Sequence, residues 1–217
     1  MTGGAPGRLM LAAALLAAAA GALRPARAQE LPLRFTPFLG VIVPAGKVYE
    51  QAGASISHRT GLAFGGRLST RVVGPLRLEV AISYALSGYH VDTASQSFDT
   101  SGAVLAASGR IVLRVAAIGG TSWHLIVGAG AVQHSGTYVA HATGKTNFAG
   151  VLGLAGRIPI TPGATIVVAG EDYISHAALA GFAGALPSTR QLDNDLIVSV
   201  GLEMPIGAHG DEDAPLR

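Results

Sequence analysis

The chain has 217 residues, of which 49% are hydrophobic and only 13% charged, against about 25% charged in an average soluble domain. With 15 basic and 13 acidic residues its formal net charge is +2, and the absence of cysteine excludes a disulfide framework, a thiolate metal site and a lipid-modified N-terminal cysteine. So little charge implies that much of the outer surface does not meet water.

The N-terminus reads as a secretory signal: Arg8 gives the positive start, Leu9 to Leu23 is an apolar run of 15 residues, and Ala26-Arg27-Ala28 matches a small-x-small cleavage pattern. Cleavage is expected between Ala28 and Gln29, because the run is short for a membrane span, which needs about 20 residues. Its loss removes Arg8, Arg24 and Arg27 and leaves 12 basic against 13 acidic residues, so the charge balance gives no support for nucleic-acid binding.

Beyond residue 28 the chain alternates between large apolar and small or charged residues, the period of two that places two sets on opposite faces of a strand. A weak first strand covers 33–44. Leu62, Phe64, Leu68 and Val72 then oppose Ala63, Gly65, Arg67, Ser69 and Arg71. The clearest stretch, 76–87, sets Leu76, Leu78, Val80, Ile82, Tyr84 and Leu86 against Arg77, Glu79, Ala81, Ser83 and Ala85. Leu105, Ala107, Ile111, Leu113 and Val115 oppose Ala106, Ser108, Arg110 and Arg114. Weaker strands follow over 123–138, 147–160 and 165–176. The last strand sets Leu196, Val198, Val200, Leu202 and Met204 against Ile197, Ser199, Gly201 and Glu203. These are eight candidate strands, several of them as long as the 9–11 residues a tilted strand needs to cross a bilayer.

The connections alternate as well. Gly74-Pro75, 118–122 and Thr161-Pro162-Gly163-Ala164 are tight, whereas 45–60, 92–103, 139–146 and 177–194 are longer and read as irregular loops. That alternation fits an up-and-down barrel with short periplasmic turns and long external loops. An even strand count places both ends on the periplasmic side. Three segments are expected: signal 1–28, barrel 29–207 and acidic periplasmic tail 208–217. Small residues on the charged face suit the crowded interior of eight strands, and the aliphatic face suits lipid. Phe35 and Trp123 are expected at the periplasmic rim, and Phe64, Tyr84, Tyr138, Phe148 and Tyr173 at the external rim. A soluble periplasmic barrel is the alternative architecture.

Behind a signal peptide, segments such as Phe35-Thr36-Pro37-Phe38-Leu39-Gly40 and the final strand from Asp195 to Pro205 resemble the small eight-stranded outer-membrane barrels grouped as OmpA-like and OmpX-like. The resemblance covers nearly all of 31–206 and is architectural. It implies a monomeric barrel in the outer membrane of a Gram-negative-type bacterium, in contact with lipid and lipopolysaccharide and inserted by the outer-membrane insertion machinery. One departure is that the last strand is followed by Ile206 to Arg217, whereas such barrels often end in an aromatic residue.

The inward face carries Arg67, Arg71, Arg77, Glu79, Arg110, Arg114, Arg157, Glu171 and Glu203, with Arg34 at its edge. Buried charge is costly unless paired, so these residues are expected to form a structural plug that fixes register. The turn at Gly74-Pro75 sets Arg71 beside Arg77 or Glu79, strand four adds Arg110 or Arg114, and the Gly119-Gly120 turn sets Arg114 near His124. A narrow anion-preferring pore is the functional alternative.

For chemistry, His134-Ser135, Ser175-His176 with Glu171 and Asp172, and Ser57-His58 are candidates for a lipid A-modifying enzyme. Adjacent strand residues point to opposite faces, however, so neither Ser175 with His176 nor His134 with Ser135 can simply meet. The histidines at 58, 90, 134, 141 and 176 fall toward the external end, but their spacing matches no ligand pattern and they read as solvated. No catalytic residue, metal or cofactor is expected. The glycines at 128 and 130, or at 150, 153 and 156, lack a following helix and read as close packing rather than a phosphate loop. The apolar loop 177–190 reads as a lid or a segment dipping into the outer leaflet. A structural or surface-interaction role is favoured, with a carrier of small solutes or hydrophobic ligands, and a lipid A-modifying enzyme, as alternatives.

Overall fold

A computed structural model describes residues 32–45, 47–51, 54–136, 146–177 and 191–206. The expected signal segment with its Ala28–Gln29 cleavage site, the tail 208–217, Tyr138, His141 and most of the apolar loop 177–190 lie outside these residues.

Twelve strands are formed: β1 (Leu33–Pro44), β2 (Lys47–Gln51), β3 (Ala54–His58), β4 (Gly61–Val73), β5 (Leu76–Leu86), β6 (Tyr89–Thr93), β7 (Ser97–Thr100), β8 (Gly102–Ile118), β9 (Thr121–Gly136), β10 (Thr146–Thr161), β11 (Ala164–Ala177) and β12 (Gln191–Ile206). Eight of them close a barrel in the order β1-β12-β11-β10-β9-β8-β5-β4, with every neighbouring pair antiparallel. Closure leaves no barrel edge whose backbone groups would need water, which is the condition for strands to cross lipid.

The tight turns fall where glycine and proline place them. Gly119 and Gly120 both take positive φ, at 58° and 81°, between the partners Ile118 and Thr121. That is the two-residue hairpin geometry with positive φ at both central residues, which glycine adopts without strain. The three ladders that meet at tight turns each carry a register shift near the turn, at Arg71/Val73, Arg114/Ala116 and Pro159/Thr161.

The alternation sorts side chains as the strand pleat requires. Leu39, Val80, Ile82 and Val200 are 68%, 63%, 54% and 54% exposed, while Ala81, Ser83, Ser199 and Glu203 on the opposite parity are buried. Exposed aliphatics spread over all eight barrel strands would be untenable in water and are the solvation that lipid provides. Phe35, Trp123, Phe64, Tyr84 and Phe148 point outward. Tyr173 does not: it is 1% exposed and lies in the lumen, on the same strand face as Glu171. It is therefore a core residue and no part of the external aromatic girdle.

Two long connections also depart from the irregular loops read from the sequence. Segments within 45–60 and 89–100 form a second, four-stranded sheet in the order β2-β3-β6-β7 at the external end. Its central ladder, β3 with β6, prolongs the β4–β5 hairpin past a break, bridged by the Arg59 amide donating to the Gly88 carbonyl at 2.8 Å. Leu62 faces Leu86 and His58 faces Tyr89, so four residue steps on one strand match three on the other. This one-residue bulge reverses the inward parity between β4 and β3, and it turns His58 inward.

Candidate functional site

Two polar assemblies fill the lumen. The first begins at the end with the short turns, the periplasmic end of such a barrel. There a cavity of about 340 Å³ is lined by Arg34, Arg71, Arg77, Arg114, Arg157 and His124, with Glu203 as its acidic group. Arg71 stands opposite Arg77, and Arg114 opposite His124, across their hairpins. Arg71 and Arg114 are exposed at this mouth, so water rather than a carboxylate solvates them.

Above the vestibule the charges interlock. Glu203 receives Arg34 at 3.1 Å, Arg77 at 3.2 Å and Arg157. The other guanidinium nitrogen of Arg157 reaches Glu79 at 3.3 Å, and Glu79 in turn faces Arg110 at 3.6 Å. Arg110 continues to Glu171 at 2.7 Å, and Glu171 meets Arg67 at 3.1 Å. Arg67 donates to Ser199 Oγ at 2.6 Å and stacks over the Phe38 ring at 4.1 Å. Three carboxylates thus bridge five guanidinium groups in one continuous chain. Each acid touches at least two cations, the arrangement in which buried charge is tolerated. Small residues make room for it: a Cβ on Gly153 would lie 2.6 Å from the Gly170 carbonyl oxygen, and one on Gly130 would lie 2.1 Å from that of Ala107. Gly128 is equally crowded, whereas a Cβ at Gly150 or Gly156 would make ordinary contacts, so close approach explains only part of the glycine set.

Beyond this layer comes an apolar collar that includes Ile42, Val104, Val132 and Ile197, with Tyr173 among them donating to or accepting from Ser108 at 3.3 Å. The second assembly lies past the collar, toward the external mouth. His58, His134, Asp193, Asp195, Ser87, Tyr89 and Ser175 are all buried there. The His58 and His134 rings are 4.9 Å apart, and His58 also lies 4.3 Å from Tyr89. His58 and His134 are therefore not the solvated loop histidines that their spacing suggested. Burial first, and His134 second, push the His58 imidazole down to about 4, so it is neutral.

Among the described side chains, which do not include that of His176, neither His134–Ser135 nor Ser57–His58 forms a hydrogen-bonded pair. His58 meets Ser87 instead, with Nδ1 and Oγ 3.4 Å apart. The Ser87 hydroxyl donates to the Arg59 carbonyl at 2.6 Å, so its proton is not presented to the imidazole. His90, by contrast, is exposed on the outer sheet, where it pairs with Asp99 at 2.7 Å while Arg59 holds the other oxygen of that carboxylate. The pairing with Asp99 raises the His90 pKa, and the same bond lowers that of Asp99.

Parity carried more of this site than the sequence analysis used. Asp193 and Asp195 share the inward face of Ser199 and Glu203, and His134 shares that of His124 and Val132. Only His58, behind the bulge, had no such signal.

No protein-family model matches the sequence, and no curated protein does. Solved structures do match. Neisserial surface protein A aligns over 80% of this chain and 97% of its own, with 8% identity and a TM-score of 0.57. The outer membrane protein OprG from Pseudomonas aeruginosa aligns over 82% and 98%, with 8% identity and a TM-score of 0.59. The outer membrane protein AlkL aligns over 86% and 97%, with 12% identity and a TM-score of 0.59. At such identities the likeness is one of fold: a small eight-stranded barrel of the outer-membrane type.

Proposed function

We propose that this chain, exported by its signal segment, is a non-catalytic outer-membrane barrel that acts through its external surface and not through its lumen. The observation that supports this reading is the Arg–Glu chain from Arg34 to Arg67, which crosses the interior as one continuous set of ion pairs, buried from Arg157 onward. Eight strands leave room for side chains and little else. The external sheet of β2, β3, β6 and β7 extends past the barrel strands and carries exposed groups such as Asp92 and Asp99, with Arg59 at its base. It supplies a surface for contact with lipopolysaccharide or another cell-surface partner.

Planar-bilayer recordings of the purified barrel test the reading. No unitary conductance is expected from the wild-type chain. A stable, anion-selective conductance would favour the pore instead, with the arginine-lined vestibule as its selective entrance. Fractionation and heat-modifiable gel migration check the location: the protein belongs with the outer-membrane fraction, and recovery in the periplasmic extract would defeat the proposal.

A further inference from the structure

The external polar cluster has a geometry that the charge layer does not explain. His58, His134 and Asp193 come from β3, β9 and β12, no two of which are hydrogen-bonded neighbours. One ligating atom from each lies within 4.8 Å of the others, and all three residues are buried. His134 Nε2 stands 3.7 Å from Asp193 Oδ2 and 3.4 Å from Asp195 Oδ2. Neither contact makes a hydrogen bond: His134 Nε2, Asp193 Oδ2 and Asp195 Oδ2 are each without a hydrogen-bond partner. Among the described residues, both ring nitrogens of His134, Nε2 of His58, Oδ2 of Asp193 and both carboxylate oxygens of Asp195 lack a hydrogen-bond partner. Buried polar atoms are seldom left so.

The spacing suits a metal better than it suits hydrogen bonds. Donors about 2.0–2.1 Å from a tetrahedral zinc ion lie roughly 3.4 Å from one another, and the two His134–aspartate separations lie close to that value.

The tautomer of His58 fits as well. Ser87 Oγ donates to the Arg59 carbonyl, so toward His58 it can only accept. Nδ1 therefore carries the ring proton, and the lone pair on Nε2 is left free. A ligating histidine typically has its other nitrogen held in this way.

Charge points in the same direction. Glu79, Glu171 and Glu203 are each met by at least two arginines. Among the described residues, Asp193 and Asp195 form ion pairs with His134 alone.

We propose that His58, His134, Asp193 and Asp195 bind a divalent transition ion of the zinc class at the external mouth of the lumen. Imidazole and carboxylate donors without thiolate suit such an ion, whereas calcium and magnesium take oxygen donors. The ion ties β3 of the external sheet to β9 and β12 of the barrel.

The test uses tag-free protein refolded in detergent micelles and stripped with a chelator. Titration with Zn²⁺ against a chromophoric chelator should give one ion per chain, and Co²⁺ should give the visible absorption of a tetrahedral site that Zn²⁺ abolishes and Ca²⁺ does not. His134→Ala and Asp193→Asn should each weaken binding by roughly 100-fold or more, and Ser87→Ala by about 10-fold. His90→Ala, on the exposed sheet, should leave binding unchanged. Heat-modifiable migration confirms that each variant is folded, and the isosteric Asp193→Asn serves where His134→Ala fails to fold. Absence of stoichiometric binding by the folded wild-type barrel, displacement of Co²⁺ by Ca²⁺, or binding that survives loss of these side chains would overturn the proposal.

Discussion

Glu203→Gln is the substitution that bears hardest on the lumen. The Glu203 side chain is 1% exposed and receives Arg34, Arg77 and Arg157, whose side chains are 29%, 12% and 5% exposed. Glutamine keeps the volume, so no cavity forms and the effect isolates the charge. Removing one partner of a buried ion pair costs about 3–5 kcal/mol, because the other charge stays buried and uncompensated. Two features place the expected loss at the lower end. Arg157 retains Glu79 at 3.3 Å, and Arg34 and Arg77 line the vestibule, where water can reach them. A destabilisation of about 3 kcal/mol follows. The comparison is Asp99→Asn, which breaks an ion pair with Arg59 whose side chains are 49% and 54% exposed. Solvent screens that pair, so its loss should cost far less than the loss of Glu203. Urea unfolding in lipid vesicles measures both, reported by the chain's single tryptophan, Trp123, which faces outward on β9. A Glu203→Gln cost below about 1 kcal/mol, or one equal to that of Asp99→Asn, would refute the reasoning, because the layer would then be hydrated rather than held by mutual pairing.

Three further outcomes are expected. Val200→Lys puts a charge on an outward position that is 54% exposed and paired with Leu39 and Val168; vesicle unfolding should show a loss of about 2–4 kcal/mol, and a neutral result would mean that this face does not meet lipid. Gly130→Ala places its Cβ 2.1 Å from the Ala107 carbonyl oxygen and should cost about 1–3 kcal/mol, whereas Gly109→Ala, with nothing within 4 Å, should be neutral or slightly stabilising in the same assay. On the external sheet, the pairing with Asp99 raises the His90 pKa, so its contribution is full below the unfolded histidine value near 6.5 and is lost as pH rises through the raised folded value. An NMR titration of His90 should show the elevation, and Asp99→Asn should return it toward the ordinary value.

Some of the lumen was readable from parity alone. Arg67, Glu79, Arg110, Glu171 and Glu203 each sit on the small-residue face of an alternating strand, and the pleat puts that face inward. Register was not: the Gly74-Pro75 turn left Arg71 opposite either Arg77 or Glu79, and the long connection between β5 and β8 left Glu79 opposite either Arg110 or Arg114, where the structure pairs Arg71 with Arg77 and Glu79 with Arg110. Tyr173 was misread because its aromatic character was weighed above its parity with Glu171. The external sheet was missed because β2, β3, β6 and β7 are only four or five residues long, too short for alternation to stand out from a loop.

The sequence by itself determined eight spanning strands, their turns and the division between a lipid face and a lumen face, because side-chain alternation and glycine-proline turns are local consequences of backbone geometry. Only the tertiary structure decided which charges meet. Barrel closure brings Arg157 of β10 to Glu79 of β5 and Glu203 of β12, and a one-residue bulge turns His58 toward His134 and Asp193. Those encounters depend on how the strands curve and shear around a common axis, and on a single inserted residue that reverses parity, which no local pattern encodes.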